Sequence, residues 1–247
     1  MSSVKVQPIS DVRQTSNRLF KISDGEEAWL LKRYCGKNSR SHRDTEENRL
    51  LLWGKAGFHV PKVINLELDN EEEPYLVLEW LEGQSLAEYL RLGNTSSLGK
   101  LERISGIIIQ FYKRHLFVAK EQDPFFIHHD PNSGNIFLTE DTAYYIDFEE
   151  SIDPKSRPLT EMMAIELAKF LRWATTDIGK EYLPDIIQMT IKVYGRDNEI
   201  LRLLIESVYR RPVQFVHRYR DYSKKIKMPD EITKYDIADG FSRELSR

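Results

Sequence analysis

Two stretches constrain this chain more than anything else in it. The first is Phe126-Ile127-His128-His129-Asp130-Pro131-Asn132-Ser133-Gly134-Asn135-Ile136-Phe137-Leu138, and the second, shortly after, is Tyr145-Ile146-Asp147-Phe148-Glu149. Their polar skeleton is His-x-Asp-x-x-x-x-Asn, an apolar strand, a turn, and a second apolar strand ending in Asp. The four residues between Asp130 and Asn135 make one loop turn, which returns both side chains to the same side. Asn135 leads into a strand over 136–138, and 144–146 is its natural hairpin partner across a turn at 139–142, so Asp147 is expected beside Asn135. One carboxylate is then placed to accept a hydroxyl proton, while a carboxylate and an amide oxygen are hard donors of the kind Mg²⁺ prefers. A solitary Asp-x-x-x-x-Asn is ordinary loop chemistry. The histidine, the two apolar strands and the second Asp lift it above that.

A chain of 247 residues has room for one large domain or two small lobes with a sizeable core. Its net charge of −3 gives no global basic excess, so no nucleic-acid partner is expected. A single cysteine, Cys35, excludes an internal disulfide and fits a reducing compartment. The N-terminus lacks an apolar signal core and the longest aliphatic run is Ile107-Ile108-Ile109, so the expectation is a cytoplasmic protein. Charge is unevenly placed, however. Between Tyr209 and Lys227 stand seven Lys/Arg against one acid, a local charge of +6, which leaves −9 on the rest. Such a segment is either a solvated helix face or a surface for an anionic acceptor or an anionic membrane.

The first eighty residues read as strands at 4–7, 18–22, 28–34, 60–64 and 75–80, with one helix at 42–55 whose apolar face holds Leu50, Leu51 and Trp53 and which stops at Ala56-Gly57. After Gly83 the pattern turns helical. A short helix is capped by Ser85, a long one covers 97–116 with Leu98, Leu101, Ile104, Ile107, Ile108, Phe111 and Leu116 on its apolar face, and others are expected at 159–175, 180–194 and 199–222. The expected class is therefore α+β and two-lobed: an N-terminal antiparallel sheet with one helix over 1–80, and a helical lobe over 81–247.

Lys32 lies in the third strand among apolar residues, where it can reach phosphates. Its expected partner is an acid of the next helix, and Glu46 is preferred to Glu47 because it sits four residues before Leu50, at the edge of the apolar face. The polar loop 14–17 contains no glycine, but Ser16 and Asn17 could offer backbone N–H groups and a hydroxyl to phosphates. His128 is expected to support the loop and Asp147 by hydrogen bonding rather than to carry protons, and Phe148 to be core.

Together these residues resemble the aminoglycoside phosphotransferase and choline kinase branch of the protein-kinase-like fold, which includes the lipopolysaccharide-core sugar kinases. The likeness covers about residues 4–175, with Leu78-Glu79-Trp80-Leu81-Glu82-Gly83 resembling the hinge. It implies that Asp130 is the catalytic base, that Asn135 and Asp147 bind Mg²⁺, that Lys32 binds ATP phosphates, and that the backbone from Glu79 to Leu81 meets adenine. The implied activity is transfer of the ATP γ-phosphate to a hydroxyl of a small molecule or a glycolipid sugar. Protein kinases carry Arg after the motif histidine and Lys two residues after the base; here those positions are His129 and Asn132. The stretch from Phe148 to Pro158 is also too short for a peptide-binding platform. Two alternatives stand beside this reading. One is an atypical serine/threonine protein kinase or ATPase similar to the kinase of the tRNA threonylcarbamoylation complex, on Lys32-Arg33-Tyr34, Arg43-x-x-Glu46 and Glu161-x-x-Ala164-x-Glu166-Leu167. The other is a nucleotide-binding pseudokinase scaffold.

Overall fold

The computed structural model describes residues 5–9, 17–68, 71–92, 95–209 and 231–247. Ser16 and the basic segment 210–227 lie outside the described residues. In chain order the first elements are β1 (Lys5–Pro8), β2 (Arg18–Ser23), β3 (Ala28–Arg33), α1 (Ser39–Lys55), β4 (Val63–Ile64) and β5 (Tyr75–Glu79). Next in the chain come β6 (Gln84–Ser85), α2 (Leu86–Arg91), α3 (Ser97–Glu121), β7 (Ile136–Leu138), β8 (Ala143–Tyr145), α4 (Leu159–Ile178), α5 (Leu183–Tyr194), α6 (Glu199–Tyr209) and α7 (Lys234–Leu245). The chain divides into two compact units, Met1–Gly83 with Phe137–Ser151, and Gln84–Ile136 with Ile152–Arg247. The class is α+β, as expected.

The first unit is built on an antiparallel sheet of order β1-β2-β3-β5-β4. Its β2–β3 turn is set by Asp24, whose Oδ1 accepts the N–H groups of Glu26 and Glu27 at 3.0 Å, with Gly25 at φ +103°. Ile22, Leu31 and Val77 form the buried face against Trp29 and Ile64. Strand alternation then turns Lys32 to the opposite face from Leu31. Helix α1 sends Glu46, Arg49, Leu50 and Trp53 inward. Leu51, expected on that face, is 55% exposed, because it lies about 100° around the helix from Leu50. Gly57, at φ +86°, ends the helix run. The β7–β8 hairpin starts its second strand one residue earlier than expected, at Ala143, and Thr139 closes the turn through its N–H and hydroxyl to the carbonyl of Thr142 (2.9 and 3.1 Å). Tyr145 and Phe148 then pack on Trp53, with ring centroids at 5.4 and 4.8 Å.

The second unit is helical. A capping box starts α2: Ser85 Oγ accepts from the Glu88 N–H and Glu88 Oε2 accepts from the Ser85 N–H. Helix α3 buries Ile104, Ile107, Ile108, Phe111 and Val118, and Phe111 stacks on Phe170 of α4 at 4.7 Å. Leu98 (67% exposed) and Leu116 (54%) fall off that stripe, contrary to the sequence expectation, since each sits more than 100° from its centre. The expected helix over 180–194 divides into a 3-10 turn at Lys180–Tyr182 and α5. Helix α7 has no counterpart among the sequence expectations. Its capping box, Thr233 with Asp236, marks its start. Its Gly240 allows close approach to α5, since a Cβ there would meet Ile187 Cδ1 at 2.2 Å. No helix among the described residues is long and apolar enough to cross a membrane.

Candidate functional site

The first unit gathers charge around Lys32. Its Nζ lies 2.7 Å from Glu46 Oε2, 2.6 Å from Asp147 Oδ1 and 3.8 Å from Glu149 Oε2. The choice between the two glutamates of α1 is clear: Glu46 is buried, whereas Glu47 pairs with Arg43 one turn earlier at 2.9 Å. Tyr34, two residues beyond Lys32 on the same face, donates its hydroxyl to the same Glu46 oxygen at 2.6 Å. Burial would lower the Lys32 pKa, but the Glu46 and Asp147 carboxylates outweigh it and raise it above the usual lysine value. Burial pushes the Tyr34 phenol well up, and Glu46 adds to that, so it stays a donor. Asp147 adopts φ +67°, a left-handed conformation that Asp tolerates better than most residues. It breaks the strand alternation after β8, so that Phe148 enters the core while the Asp147 carboxylate meets Lys32.

Glu46, Asp147 and Glu149 hold carboxylate oxygens within 4.8 Å of one another, and the cation among them here is the Lys32 ammonium. Asn17 is buried and its amide donates to Glu149. At the end of β5 the Glu79 N–H donates to the Lys62 carbonyl at 2.8 Å, and Leu81 lies past the strand.

The second unit holds the loop with Asp130 and Asn135. Asn132 organises it: its Nδ2 donates to Asp130 Oδ2 at 2.8 Å, and its Oδ1 accepts from the N–H groups of Gly134 (2.8 Å) and Asn135 (3.2 Å). The position where protein kinases carry Lys is thus a cap that orients the aspartate. Asn135 gives its Nδ2 to the Asp130 carbonyl at 2.9 Å, which presents its Oδ1 as the side-chain acceptor. His128 is buried, and its backbone N–H donates to Glu166 of α4. The His129 carbonyl accepts from Lys169 at 2.5 Å.

Glu166, which the sequence offered only within the resemblance carried by Glu161-x-x-Ala164-x-Glu166-Leu167, is the centre of a buried network. Its Oε1 takes Arg114 Nη2 at 2.6 Å and its Oε2 lies 2.8 Å from His115 Nε2. Burial alone would raise the Glu166 pKa, but Arg114 and His115 hold it down to about 2. Burial lowers the His115 pKa, so the ring is neutral: Nε2 donates to the ionised Glu166, and Nδ1 accepts from the Tyr194 hydroxyl at 2.9 Å.

The ABC1 atypical kinase-like domain matches residues 39–170, more than half of the chain. The chain belongs to the ABC1 atypical kinase-like domain family. No curated protein matches it. Among solved structures, WaaP in complex with acyl carrier protein aligns over 90% of this chain and 89% of that one, at 11% identity and a TM-score of 0.50, a likeness of fold. The Mycobacterium tuberculosis PknI kinase domain aligns over 72% of this chain and 76% of that one, at 13% identity and a TM-score of 0.45. With the family match and the WaaP alignment, the kinase-like fold expected from the motifs is the fold of this chain. The ABC1 match contains Glu46, His128, Asp130, Asn135, Asp147 and Glu166. Lys32 precedes it and is tied to it through Glu46 and Asp147.

Proposed function

We propose that this ABC1-family chain is an ATP- and Mg²⁺-dependent phosphotransferase that moves the ATP γ-phosphate to a hydroxyl of a small molecule or a glycolipid sugar. The observation that carries the reading is Lys32, a buried ammonium held cationic by Glu46 and Asp147. An ammonium fixed in this way is suited to α- and β-phosphate oxygens. Each unit offers a hard donor of the kind Mg²⁺ prefers: the half-exposed Asp147 carboxylate in the first, and in the second the Asn135 amide oxygen, oriented by the hydrogen bond its nitrogen gives to Asp130. When bound, Mg²⁺ neutralises charge on the phosphate oxygens. Asp130 has one carboxylate oxygen engaged by Asn132, and the other accepts the proton of the acceptor hydroxyl as it attacks. Leu81 offers backbone to the adenine. The start of α4 at Leu159, soon after Phe148, supports a small or lipid-linked acceptor, because it leaves little chain for a peptide platform.

The test is ATP binding by calorimetry with and without Mg²⁺, followed by ATP turnover across a panel of sugars, amino alcohols, aminoglycosides and proteins. Asp130→Asn is expected to keep ATP affinity and lose turnover by about 10²–10⁴-fold. Absence of Mg²⁺-dependent ATP binding in the wild type at millimolar ATP refutes the reading. Full turnover by the variant places the base elsewhere, and a protein as the only acceptor overturns the substrate class.

A further inference from the structure

The turn that carries Asn135 has a second anchor, one that phosphoryl transfer itself does not call for. Ser133 opens the 3-10 turn Ser133–Asn135, is 2% exposed, and donates its hydroxyl to Asp177 Oδ2. Asp177 lies in the last turn of α4 and its side chain is 1% exposed. Its other oxygen, Oδ1, accepts Nε and Nη2 of Arg91 at 2.9 and 2.6 Å, from the last residue of α2. One buried carboxylate is thus clamped by a guanidinium on one oxygen and holds the loop with the other. Hydrogen bonds to a charged acceptor are the stronger kind, and the planar Arg91 fork fixes the direction of this one.

The turn is stiff beyond Ser133. Gly134 has no room for a side chain: a Cβ there would sit 2.9 Å from Asn132 Oδ1. The N–H groups of Gly134 and Asn135 both point at that oxygen, and Asn135 is bound in turn to the Asp130 carbonyl. A shift at position 133 therefore carries through to the Asn135 amide.

We propose that Asp177, set by Arg91, is a positioning residue: through Ser133 it fixes where the Asn135 amide oxygen stands for Mg²⁺. The inference rests on the phosphotransferase reading above. Partners that orient a metal ligand typically change metal affinity by about 10–100-fold when removed. Nothing in the spacing of the loop motif points to Asp177, which lies 44 residues from Ser133.

The test uses the full chain with Ser133→Ala, Ser133→Thr and Asp177→Asn. Two quantities are read: hydrogen exchange of the Gly134 and Asn135 amides in the nucleotide-free protein, and the gain in ATP affinity on adding Mg²⁺. Ser133→Ala is expected to speed exchange at both amides and cut the Mg²⁺-dependent gain about tenfold, with Mg²⁺-free ATP affinity unchanged. Ser133→Thr keeps the hydroxyl and restores both, and Asp177→Asn behaves like Ser133→Ala. Should Asp177→Asn fail to fold, the Ser133 pair decides. A lower melting temperature in Ser133→Ala with an unchanged Mg²⁺-dependent gain overturns the positioning role and leaves the phosphotransferase reading standing. A wild type without any Mg²⁺-dependent gain removes that reading, and this inference with it.

Discussion

At the scale of single residues, Lys32 decides the charge balance of the first unit. Three carboxylates stand around one ammonium, and Glu46 is further held by the Tyr34 hydroxyl. Replacing Lys32 by Met leaves Glu46, Asp147 and Glu149 facing one another without a cation. Breaking a buried pair by removing one partner costs on the order of 3–5 kcal/mol, most of it from the charge left behind. Lys32→Met is expected to melt well below the wild type at pH 7 and to be raised by Mg²⁺ without nucleotide. Thermal melts at pH 7, with and without the ion, decide it; equal melting of variant and wild type would sink the account of Lys32. Tyr34→Phe removes one neutral donor and belongs at the mild end, about 1 kcal/mol.

At the scale of elements, α4 is the scaffold of the loop that bears Asp130. Glu166 receives the His128 N–H, Lys169 reaches the His129 carbonyl, and Asp177 takes the Ser133 hydroxyl, at positions spaced three and eight residues apart along one helix. The Glu166 network also sets a pH dependence. His115 is neutral in the fold with its pKa below 6.5, so below that pH the unfolded chain binds the proton first and stability falls as pH drops. Glu166, held to about 2 against an ordinary 4.5, adds stability that is complete above 4.5 and is lost as pH falls toward 2. His115→Gln is therefore expected to flatten the decline that begins near pH 6.5, worth up to about 1.4 kcal/mol per pH unit, while leaving the one below 4.5. Urea unfolding at pH 7, 6, 5 and 4 reads this directly, and parallel profiles for variant and wild type contradict it. The loop itself was legible in the sequence because its parts are neighbours: Asp130, Asn132 and Asn135 lie within one turn. Arg114, His115 and Asp177 were not, and Glu166 entered only through a resemblance, since a periodicity count treats a charged residue on a helix as solvent-facing and says nothing of a partner some fifty residues away. The same count put Leu51, Leu98 and Leu116 on apolar faces they flank rather than occupy. It also passed over α7, whose Gly240 reads as a helix breaker but is what lets that helix approach Ile187.

At the scale of the whole molecule, the sequence separates charge more than solubility needs. Seven cations within nineteen residues, 209–227, carry +6, against −9 on the remainder. An acceptor embedded in an anionic membrane, such as a glycolipid sugar, would be approached by that segment rather than by the net −3, because charges farther away than a Debye length are screened. The proposed contact is peripheral and electrostatic, and its strength should depend on salt. The screening length falls from about 10 Å at 0.1 M to about 3 Å at 1 M, so binding to anionic vesicles should be clear at the first and lost at the second. Neutral vesicles should not bind at either. Co-sedimentation with vesicles of each kind measures this, and reversal of Lys224, Lys225 and Lys227 to Glu changes the segment from +6 to zero without touching Lys32, Asp130 or Asp147. The reversed protein should stay in the supernatant at 0.1 M salt, bind ATP like the wild type, and show a raised KM for an anionic acceptor with little change in kcat. If wild type and reversed protein sediment alike and neither responds to salt, the segment is a solvated face and the acceptor is met without help from a membrane surface.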